Sequence, residues 1–142
     1  MAACPLCDAS GGEILWQDDF CRVVLANEPD YPGFLRVILK AHTREMTDLT
    51  AADQQKLMRI VMAAEATLRE VMAPDKINLA SLGNVVPHLH WHVIPRFADD
   101  PHFPNPVWGE RKRDMPHVAP AALSERLIAA LTPRLARARE TG

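Results

Sequence analysis

The sequence predicts an α+β fold, with a mainly antiparallel sheet of about five strands, a long central helix and a C-terminal helix. Two observations support this class. Short runs rich in β-branched and aromatic residues follow one another with brief turns between them. Two longer stretches repeat apolar residues at the spacing of an α-helix. Short connections favour hairpins, so the sheet is expected to be mainly antiparallel.

Length and charge exclude several classes of protein. The chain has 142 residues, which suits a single domain over residues 1–142. Its formal net charge of −2 provides no drive towards nucleic acid or a membrane surface. No apolar run approaches the roughly 20 residues that a membrane span needs, and no secretory signal is visible. We therefore expect a cytoplasmic protein, in which three cysteines argue against a disulfide framework.

Three strands are predicted before the central helix, at residues 13–20, 21–27 and 34–40. A turn near Asp18 and Asp19 separates the first two strands. The segment "NEPDYPG" contains two prolines and a glycine, which predict the turn before the third strand. That third strand ends just before His42.

The central helix is predicted to begin after Thr50 and to end before Pro74. Asp53 lies three residues after Thr50, as in a weak capping box. Apolar residues recur at helical spacing and should form the buried stripe of this helix: Leu57, Ile60, Val61, Ala64, Leu68, Val71 and Met72.

The second half of the chain adds two strands, a loop and a helix. Residues 76–84 predict the fourth strand, and the segment "PHLHWHVIPRF" predicts the fifth. A proline-rich loop follows at 98–116. The C-terminal helix is predicted at about residues 119–139, with a kink or a break at Pro133.

Three histidines at alternate positions are the strongest functional feature of the sequence. His88, His90 and His92 lie in a predicted strand closed by Pro87 and Pro95, so their side chains should share one face. Imidazole binds metals and also acts as a nucleophile towards phosphorus. Packing alone is the third alternative, although a buried imidazole must be hydrogen-bonded and so suits an apolar core poorly. Spacing by itself does not choose between a metal ligand and a nucleophile.

A pair of cysteines near the N-terminus predicts half of a zinc site. Cys4 and Cys7 have the Cys-x-x-Cys spacing of a tetrahedral zinc knuckle. His42 and one histidine of the row could supply the other two ligands. Two unpaired thiols are the alternative, and a redox role would require a neighbouring βαβ unit. Cys21 lies in an apolar strand and is expected to be a small buried residue.

Three further side chains are candidates for binding a substrate, each with a structural alternative. Asn27 and Asn84 lie in turn-forming segments, where an asparagine also serves local hydrogen bonds. Trp108, in the proline-rich loop, could stack on a base or anchor the loop. The segment "ERKR" at 110–113 is either a solvated charged patch or a contact for a polyphosphate.

The run from His88 to Ile94 resembles the signature of the histidine triad (HIT) superfamily of nucleotide hydrolases and transferases. "RVILKAH" resembles the strand of that family that leads to a histidine, and "PVWGE" resembles its tryptophan-bearing segment. The cysteine pair resembles that of the zinc-containing bacterial branch. The resemblance covers residues from about 4 to about 110, so the C-terminal helix lies outside it.

The resemblance implies a division of labour among the histidines. His90 would attack the α-phosphorus of a nucleoside phosphate derivative and form a covalent nucleotidyl-histidine, while His92 would bind the α-phosphate. Neutral His90 would need to donate its other ring hydrogen to an acceptor such as a backbone carbonyl. His88 would join the remaining ligands of a closed structural zinc site, and no catalytic metal would be required. These ligands are Cys4, Cys7 and His42.

The resemblance also implies substrates and an assembly. Dinucleoside polyphosphates and nucleoside phosphoramidates are the implied substrate classes, with Asn27, Asn84 and Trp108 near the bound nucleotide. A homodimer formed through the sheet edge and the central helix is implied as well. Two departures, Asn84 and Val85 in place of the usual Gln and Ser or Thr, affect the region that recognises the leaving group. Leu39 replaces a proline, which should be harmless.

Two other functions remain open from the sequence. One is a metal-dependent hydrolase with a catalytic ion on the histidine row, which would need an open coordination position. The other is a non-catalytic, zinc-stabilised module that binds nucleotides without converting them.

Overall fold

The sheet has five strands in the order β1-β2-β3-β5-β4, and every neighbouring pair is antiparallel. The computed structural model describes residues 3–140, so residues 1–2 and 141–142 of the predicted domain lie outside the described part. The predicted α+β class is confirmed. The elements are α1 (Pro5–Asp8), β1 (Glu13–Gln17), β2 (Cys21–Leu25), β3 (Leu35–Leu39), a short 3₁₀ helix (Met46–Asp48), α2 (Ala51–Met72), β4 (Lys76–Ala80), β5 (His90–Arg96) and α3 (Leu123–Glu140).

The two faces of the sheet have different partners. One face packs against α2 and α3 and forms the main core, whose buried residues include Val37, Val93 and Leu68 of α2. The opposite face carries Val24 and Ile38, and the N-terminal segment packs on them. Strand alternation produces this division, because successive side chains point to opposite faces. The histidines of β5 lie on the second face, opposite the helices, with His90 paired to Ile38.

Helix α2 begins and ends where the sequence predicts. Thr50 is the N-cap, and its Oγ1 accepts a hydrogen bond from the backbone N–H of Asp53 at 3.1 Å. Ala73 ends the helix in the left-handed conformation, with φ of 46°, and Pro74 follows. The predicted stripe is buried except for Val71, which is half-buried.

Helix α3 starts later than predicted and continues through Pro133. Its first residue is Leu123, because Ala122 has a positive φ of 54° and Pro120 lies just before it. No break occurs at Pro133. The helix closes the main core with three fully buried leucines: Leu127, Leu131 and Leu135.

The fifth strand differs in both bounds from the prediction. It starts at His90, and His88 lies in the bend before it. It also continues through Pro95, which pairs with Ile77, whereas the sequence predicts that this proline closes the strand. Beyond Val93 the strand pairs with β4 alone, so a proline without an N–H is tolerated there.

Three other strands end earlier than predicted. The last residues of β1, β2 and β4 are Gln17, Leu25 and Ala80. The fourth strand stops early because its pairing with β5 ends at Ala80 opposite His92. The residues that follow it are therefore free to form a loop beside the histidines. In the described part of the chain, neither long helix is apolar enough to cross a membrane.

Two arginines fasten the N-terminal segment to the sheet. Arg22 of β2 donates hydrogen bonds at 2.8–2.9 Å to the carbonyls of Leu6, Ala9 and Ser10. Arg36 of β3 donates to the carbonyl of Gly11 at 3.0 Å. These bonds satisfy carbonyls that α1 leaves unpaired at its end. They also hold the cysteine knuckle over the sheet, close to the start of β5.

Candidate active site and metal centre

His90 and His92 form a close pair at the start of β5. Their ring centroids are 5.0 Å apart, and the rings are almost perpendicular, at 85°. Both side chains are buried. The antiparallel register places Ile38 and Arg36 of β3 directly opposite them. The predicted common face is therefore present for these two histidines.

The orientation of His90 is set by one hydrogen bond. Its Nδ1 lies 2.5 Å from the carbonyl oxygen of His88. A carbonyl only accepts hydrogen bonds, so Nδ1 carries a ring hydrogen, and in the neutral ring Nε2 then holds the free electron pair. This is the arrangement that a nucleophilic imidazole needs.

His92 contributes a buried nitrogen without a partner. Its side chain is only 7% exposed, and within the described residues Nδ1 has no hydrogen-bond partner. The rings of Phe34 and Trp108 pack against it, with centroids 5.5 and 5.2 Å away. Burial lowers the pKa of His92 to about 4, with further contributions from His90 and Arg36. His92 is therefore neutral at pH 7.

Four side chains from three separate segments form a metal-binding group, as the sequence predicts for a zinc site. The ligand atoms of Cys4, Cys7, His42 and His88 all lie within 4.8 Å of one another. Each of three sulfur–nitrogen pairs, Cys4–His88, Cys7–His88 and Cys7–His42, is separated by 3.4 Å. Zinc bonds of about 2.3 Å to sulfur and 2.0–2.1 Å to nitrogen, at tetrahedral angles, give an edge of about 3.6 Å. The group therefore fits zinc in both donor chemistry and spacing.

His88 links this group to the rest of the site. It is fully buried, and its Nε2 donates a hydrogen bond to the carbonyl of Leu39 at 2.6 Å. This bond leaves Nδ1, which faces both cysteines, as the lone-pair nitrogen. Burial lowers the pKa of His88, which favours the neutral form that binds a metal. The backbone carbonyl of the same residue holds His90.

A cavity of about 410 Å³ opens beside the two histidines. The loop after β4 and the proline-rich loop form its walls, and Asn84 is one of its lining residues. Asn27 is exposed at the end of β2 and is not among the lining residues, so the described structure does not bring it to the histidines. The cavity is otherwise lined mainly by histidine and apolar side chains: His90, His92, Leu82, Val85, Val86 and Trp108.

A buried ion pair, which the sequence did not predict, organises the loop that carries Trp108. Arg96 and Asp100 are buried, and Arg96 Nε lies 2.8 Å from the Asp100 carboxylate. Arg96 also donates to the carbonyl of Asn105 at 2.7 Å. Burial raises the pKa of Asp100, but Arg96 and three backbone N–H groups lower it more, so the net pKa lies below its usual value. The only sequence signal was an arginine four residues before an aspartate at a strand end.

The two arginines of the basic segment after Trp108 contact other parts of the protein. Arg111 lies 2.7 Å from the carboxylate of Asp30. Arg113 donates to the carbonyls of Asp100 and Phe103. Of the two alternatives for "ERKR", these contacts favour a charged surface patch, because neither arginine lines the cavity.

Relatives of known name match part of the chain. A protein named AP-4-A phosphorylase, from Mycobacterium tuberculosis, is 30% identical over 106 residues, which cover 70% of this chain and 54% of that protein. A bis(5'-adenosyl)-triphosphatase from Saccharomyces cerevisiae is 24% identical over 91 residues, with coverage of 60% and 44%. The chain spans about half the length of these curated relatives.

Solved structures match nearly the whole chain. A histidine triad protein from Bradyrhizobium japonicum has a TM-score of 0.72 at 29% identity and covers 89% of this chain and 92% of its own. Another, from Marinobacter aquaeolei, has a TM-score of 0.70 at 31% identity, with coverage of 90% and 91%. The family model described as the HIT domain matches residues 10–99, well over half of the sequence. With its paired histidines on a five-stranded antiparallel sheet, this chain belongs to the HIT domain family.

Proposed function

We propose that this protein is a nucleotide hydrolase or nucleotidyl transferase that acts at the α-phosphate through a covalent histidine intermediate. One observation carries the proposal. The Nδ1 hydrogen bond from His90 to the carbonyl of His88 makes Nε2 the lone-pair nitrogen of the neutral ring, beside a cavity and next to His92. A neutral, oriented imidazole in a cavity is suited to attack on phosphorus.

The proposed reaction consists of two displacements at one phosphorus atom. First, Nε2 of His90 bonds to the α-phosphorus as the bond to the leaving group breaks with its electron pair. A nitrogen leaving group takes a proton from solvent. Water then attacks the phosphorus and gives a proton to solvent as the bond to Nε2 breaks. A nucleoside monophosphate is released, and His90 returns to its neutral form.

We assign His92 to the α-phosphate oxygens. A neutral imidazole carries one N–H donor, and Nδ1 of His92 is buried without a partner among the described residues. A donor held in place beside the cavity stabilises charge that develops on the phosphate oxygens at little reorganisation cost. Trp108 and Asn84 complete the binding cavity, and Asn27 stays a predicted contact for the ribose.

Two substrate classes fit the proposal, nucleoside phosphoramidates and dinucleoside polyphosphates. The second class is supported by the names of the curated relatives, AP-4-A phosphorylase and bis(5'-adenosyl)-triphosphatase. Both classes contain a phosphorus atom bonded to a nucleoside on one side and to a leaving group on the other. The mechanism at His90 is the same for both.

Zinc is the proposed cofactor, held by Cys4, Cys7, His42 and His88. Four protein ligands fill a tetrahedral ion and leave no open position, so the chemistry that zinc would supply is structural. The chain's own residues do the rest. His88 presents its side chain to the cysteines and its carbonyl to His90, so the cysteine knuckle and the nucleophile share one anchoring residue.

The assembly and the compartment are also proposals. We infer a homodimer through the edge strand β4 and α2, as the family resemblance implies. The β4 strand pairs only with β5, so its other side is available to a second copy in the described structure. A cytoplasmic location is supported by the proposed zinc site, which requires reduced cysteines.

The test combines intermediate trapping with a matched pair of variants. Incubation with adenosine 5'-phosphoramidate or a diadenosine polyphosphate should label His90 through a phosphorus–nitrogen bond, detectable by mass spectrometry after rapid quenching. The variant His90→Asn should lower kcat/KM by about 10⁴-fold or more. His117→Asn, the same change at a histidine outside the cavity, should leave kcat/KM within a factor of two or so.

Two outcomes would contradict the proposed function. Full turnover by His90→Asn would exclude His90 as the nucleophile. Tight nucleotide binding without turnover of any substrate by zinc-loaded protein would indicate a non-catalytic binding module.

A further inference from the structure

We propose that three polar residues are positioning residues of the active site, which hold the Trp108 ring against His92 and thereby fix the imidazole that binds the α-phosphate: Arg96, Asp100 and Asn105. The proposal rests on the function proposed above, because it takes His92 as the α-phosphate ligand. None of the three residues lines the cavity beside the β5 histidines. Their role is the same whichever part of the substrate occupies that cavity.

The Trp108 ring is not fixed by its own burial. It is 54% exposed, yet it packs against His92 with ring centroids 5.2 Å apart. A half-exposed indole on a loop has other positions open to it, so the contact persists only if the backbone that carries the ring is held. The bonds that hold this backbone therefore decide where the Trp108 ring lies.

Asp100 fixes the start of the loop that carries Trp108. Its buried carboxylate accepts two hydrogen bonds from the guanidinium of Arg96, at 2.8 and 3.1 Å. It accepts three more, at 2.8–3.1 Å, from backbone N–H groups: those of Phe97, His102 and Phe103. Charge-assisted hydrogen bonds are short and directional, so this carboxylate sets the path of the backbone as it leaves β5.

Arg96 connects this anchor to the turn that bears Trp108. Its guanidinium donates to the carbonyl of Asn105 at 2.7 Å and to Oδ1 of Asn78 in β4 at 2.8 Å. The side-chain amide of Asn105 donates to the carbonyl of Glu110 at 3.0 Å. Asn105 therefore joins the two ends of the segment that carries Trp108, and Arg96 joins that segment to β4 and β5.

The residue before Trp108 docks the same segment on the sheet. Val107 packs against a buried cluster that contains Phe34. The Phe34 ring itself contacts His92, with centroids 5.5 Å apart. A shift of the loop backbone would therefore disturb two adjacent contacts around His92.

The Arg96–Asp100 pair contributes more to geometry than to stability. A buried ion pair adds little net free energy of folding, because the cost of desolvation offsets the attraction. The contact with Trp108 restricts rotation of the His92 ring, which keeps its donor aligned with phosphate oxygens whose charge grows in the transition state. A misplacement of about 1 Å that starts far from the reacting atoms can lower a rate by about 10²-fold.

The first experiment measures the position of Trp108 without substrate. Protein labelled with 5-fluorotryptophan has three ¹⁹F resonances, from Trp16, Trp91 and Trp108, and Trp108→Phe identifies the last of them. Asp100→Asn should shift or broaden the Trp108 resonance. The other two resonances should stay in place, which shows that the sheet is intact.

Asp99→Asn is the matched control. Asp99 is exposed, and its carboxylate lies 2.8 Å from His117, so all three resonances should stay unchanged. An unchanged Trp108 resonance in Asp100→Asn would overturn the positioning role. If Asp100→Asn does not fold, Asn105→Ala at a half-buried loop position should shift or broaden the same resonance, and an unchanged resonance there would overturn the role equally.

The second experiment is a double-mutant cycle on kcat/KM with adenosine 5'-phosphoramidate. Trp108→Ala and Asp100→Asn should each lower kcat/KM by about tenfold or more. The double variant should lose no more than Trp108→Ala alone, because Asp100 acts through Trp108. Asp99→Asn should stay within about twofold of wild type. A double variant whose loss is the product of the two single losses would overturn the proposal.

Failure of the proposed function would have a different signature. If wild-type protein converts no nucleotide substrate, the proposed function fails. The same cycle on the Kd of AMP, measured by calorimetry, still decides the positioning role, because AMP contains the α-phosphate. Weaker AMP binding in Asp100→Asn, with no further loss when Trp108→Ala is added, supports that role. An unchanged Kd in Asp100→Asn would overturn it.

Discussion

Three histidines with identical spacing have three different environments. His88 donates through Nε2 to the carbonyl of Leu39 and faces the cysteines with Nδ1. His90 donates through Nδ1 to the carbonyl of His88. His92 makes no hydrogen bond through Nδ1 within the described residues. The carbonyl partners of His88 and His90 select the tautomers of these two rings, and their proposed roles follow from the tautomers.

The buried position of His92 predicts a dependence of stability on pH. Its folded-state pKa of about 4 lies below the ordinary value of 6.5, so the unfolded chain binds the proton first as pH falls. The contribution of neutral His92 to the free energy of unfolding is therefore fully present above about pH 6.5. It is lost as the pH falls from 6.5 to 4. Between pH 7 and 4.5, the free energy of unfolding should fall by about 2 kcal/mol less in His92→Asn than in wild type.

Urea unfolding at the two pH values measures this difference. The same substitution at His117, a partly buried histidine just after the proline-rich loop whose Nδ1 lies 2.8 Å from Asp99, serves as the control and should not reproduce the smaller decrease of His92→Asn. Parallel decreases in wild type and His92→Asn would refute the assignment.

At the scale of elements, the N-terminal segment and β5 meet at His88. The segment contributes two cysteines, the residues after β3 contribute His42, and the bend before β5 contributes His88. Arg22 fixes the segment on the sheet through three carbonyls. The metal-binding group therefore forms only when these elements are folded together, and a bound ion would stabilise the folded state over the unfolded one.

The metal-binding group predicts one zinc ion per chain and a loss of stability without it. Cys7→Ser should lower the zinc content well below one equivalent and the free energy of unfolding by about 2–4 kcal/mol. Cys21→Ala removes a thiol that is buried in the main core, so it should keep one equivalent of zinc. Elemental analysis and urea unfolding measure both quantities. Zinc-free wild-type protein with unchanged stability would contradict the assignment.

At the scale of the whole molecule, α3 completes a core that the histidine-bearing sheet shares. Leu131 is fully buried in the same cluster as Val93 of β5, although α3 lies beyond the residues that the HIT domain model matches. The helix also packs along α2. We therefore expect residues 1–142 to unfold as one cooperative domain.

Shortening one leucine tests this cooperativity. Leu131→Ala should lower the free energy of unfolding by about 2–5 kcal/mol and keep a single transition. Ile128 lies on the same helix and is 38% exposed, so Ile128→Ala should cost about 1 kcal/mol or less. Urea denaturation followed by circular dichroism distinguishes the two variants. A separate early transition for helix loss would contradict a single domain.

Patterns with a local cause were predictable from the sequence. The strand runs, the cap at Thr50 and the stripe of α2 depend on neighbours a few residues away, and they are confirmed. The predicted bounds of β5 were wrong because the real bounds depend on how β5 pairs with β3 and β4. Pro95 lies inside the strand since β5 has only one partner there, which no local signal reveals. The Arg96–Asp100 pair was missed for a related reason, because burial gives that pair its importance.

The sequence by itself determined the α+β fold class and the reactive side chains, which are a row of imidazoles and a cysteine pair at metal-binding spacing. Tertiary structure decided what each group faces. It brought His42 and His88 to the cysteines and turned the ring hydrogen of His90 towards a carbonyl beside a cavity. The physical reason is that residue types fix which bonds are available, whereas burial and the contacts between distant segments decide which bonds form and which stay free for a ligand.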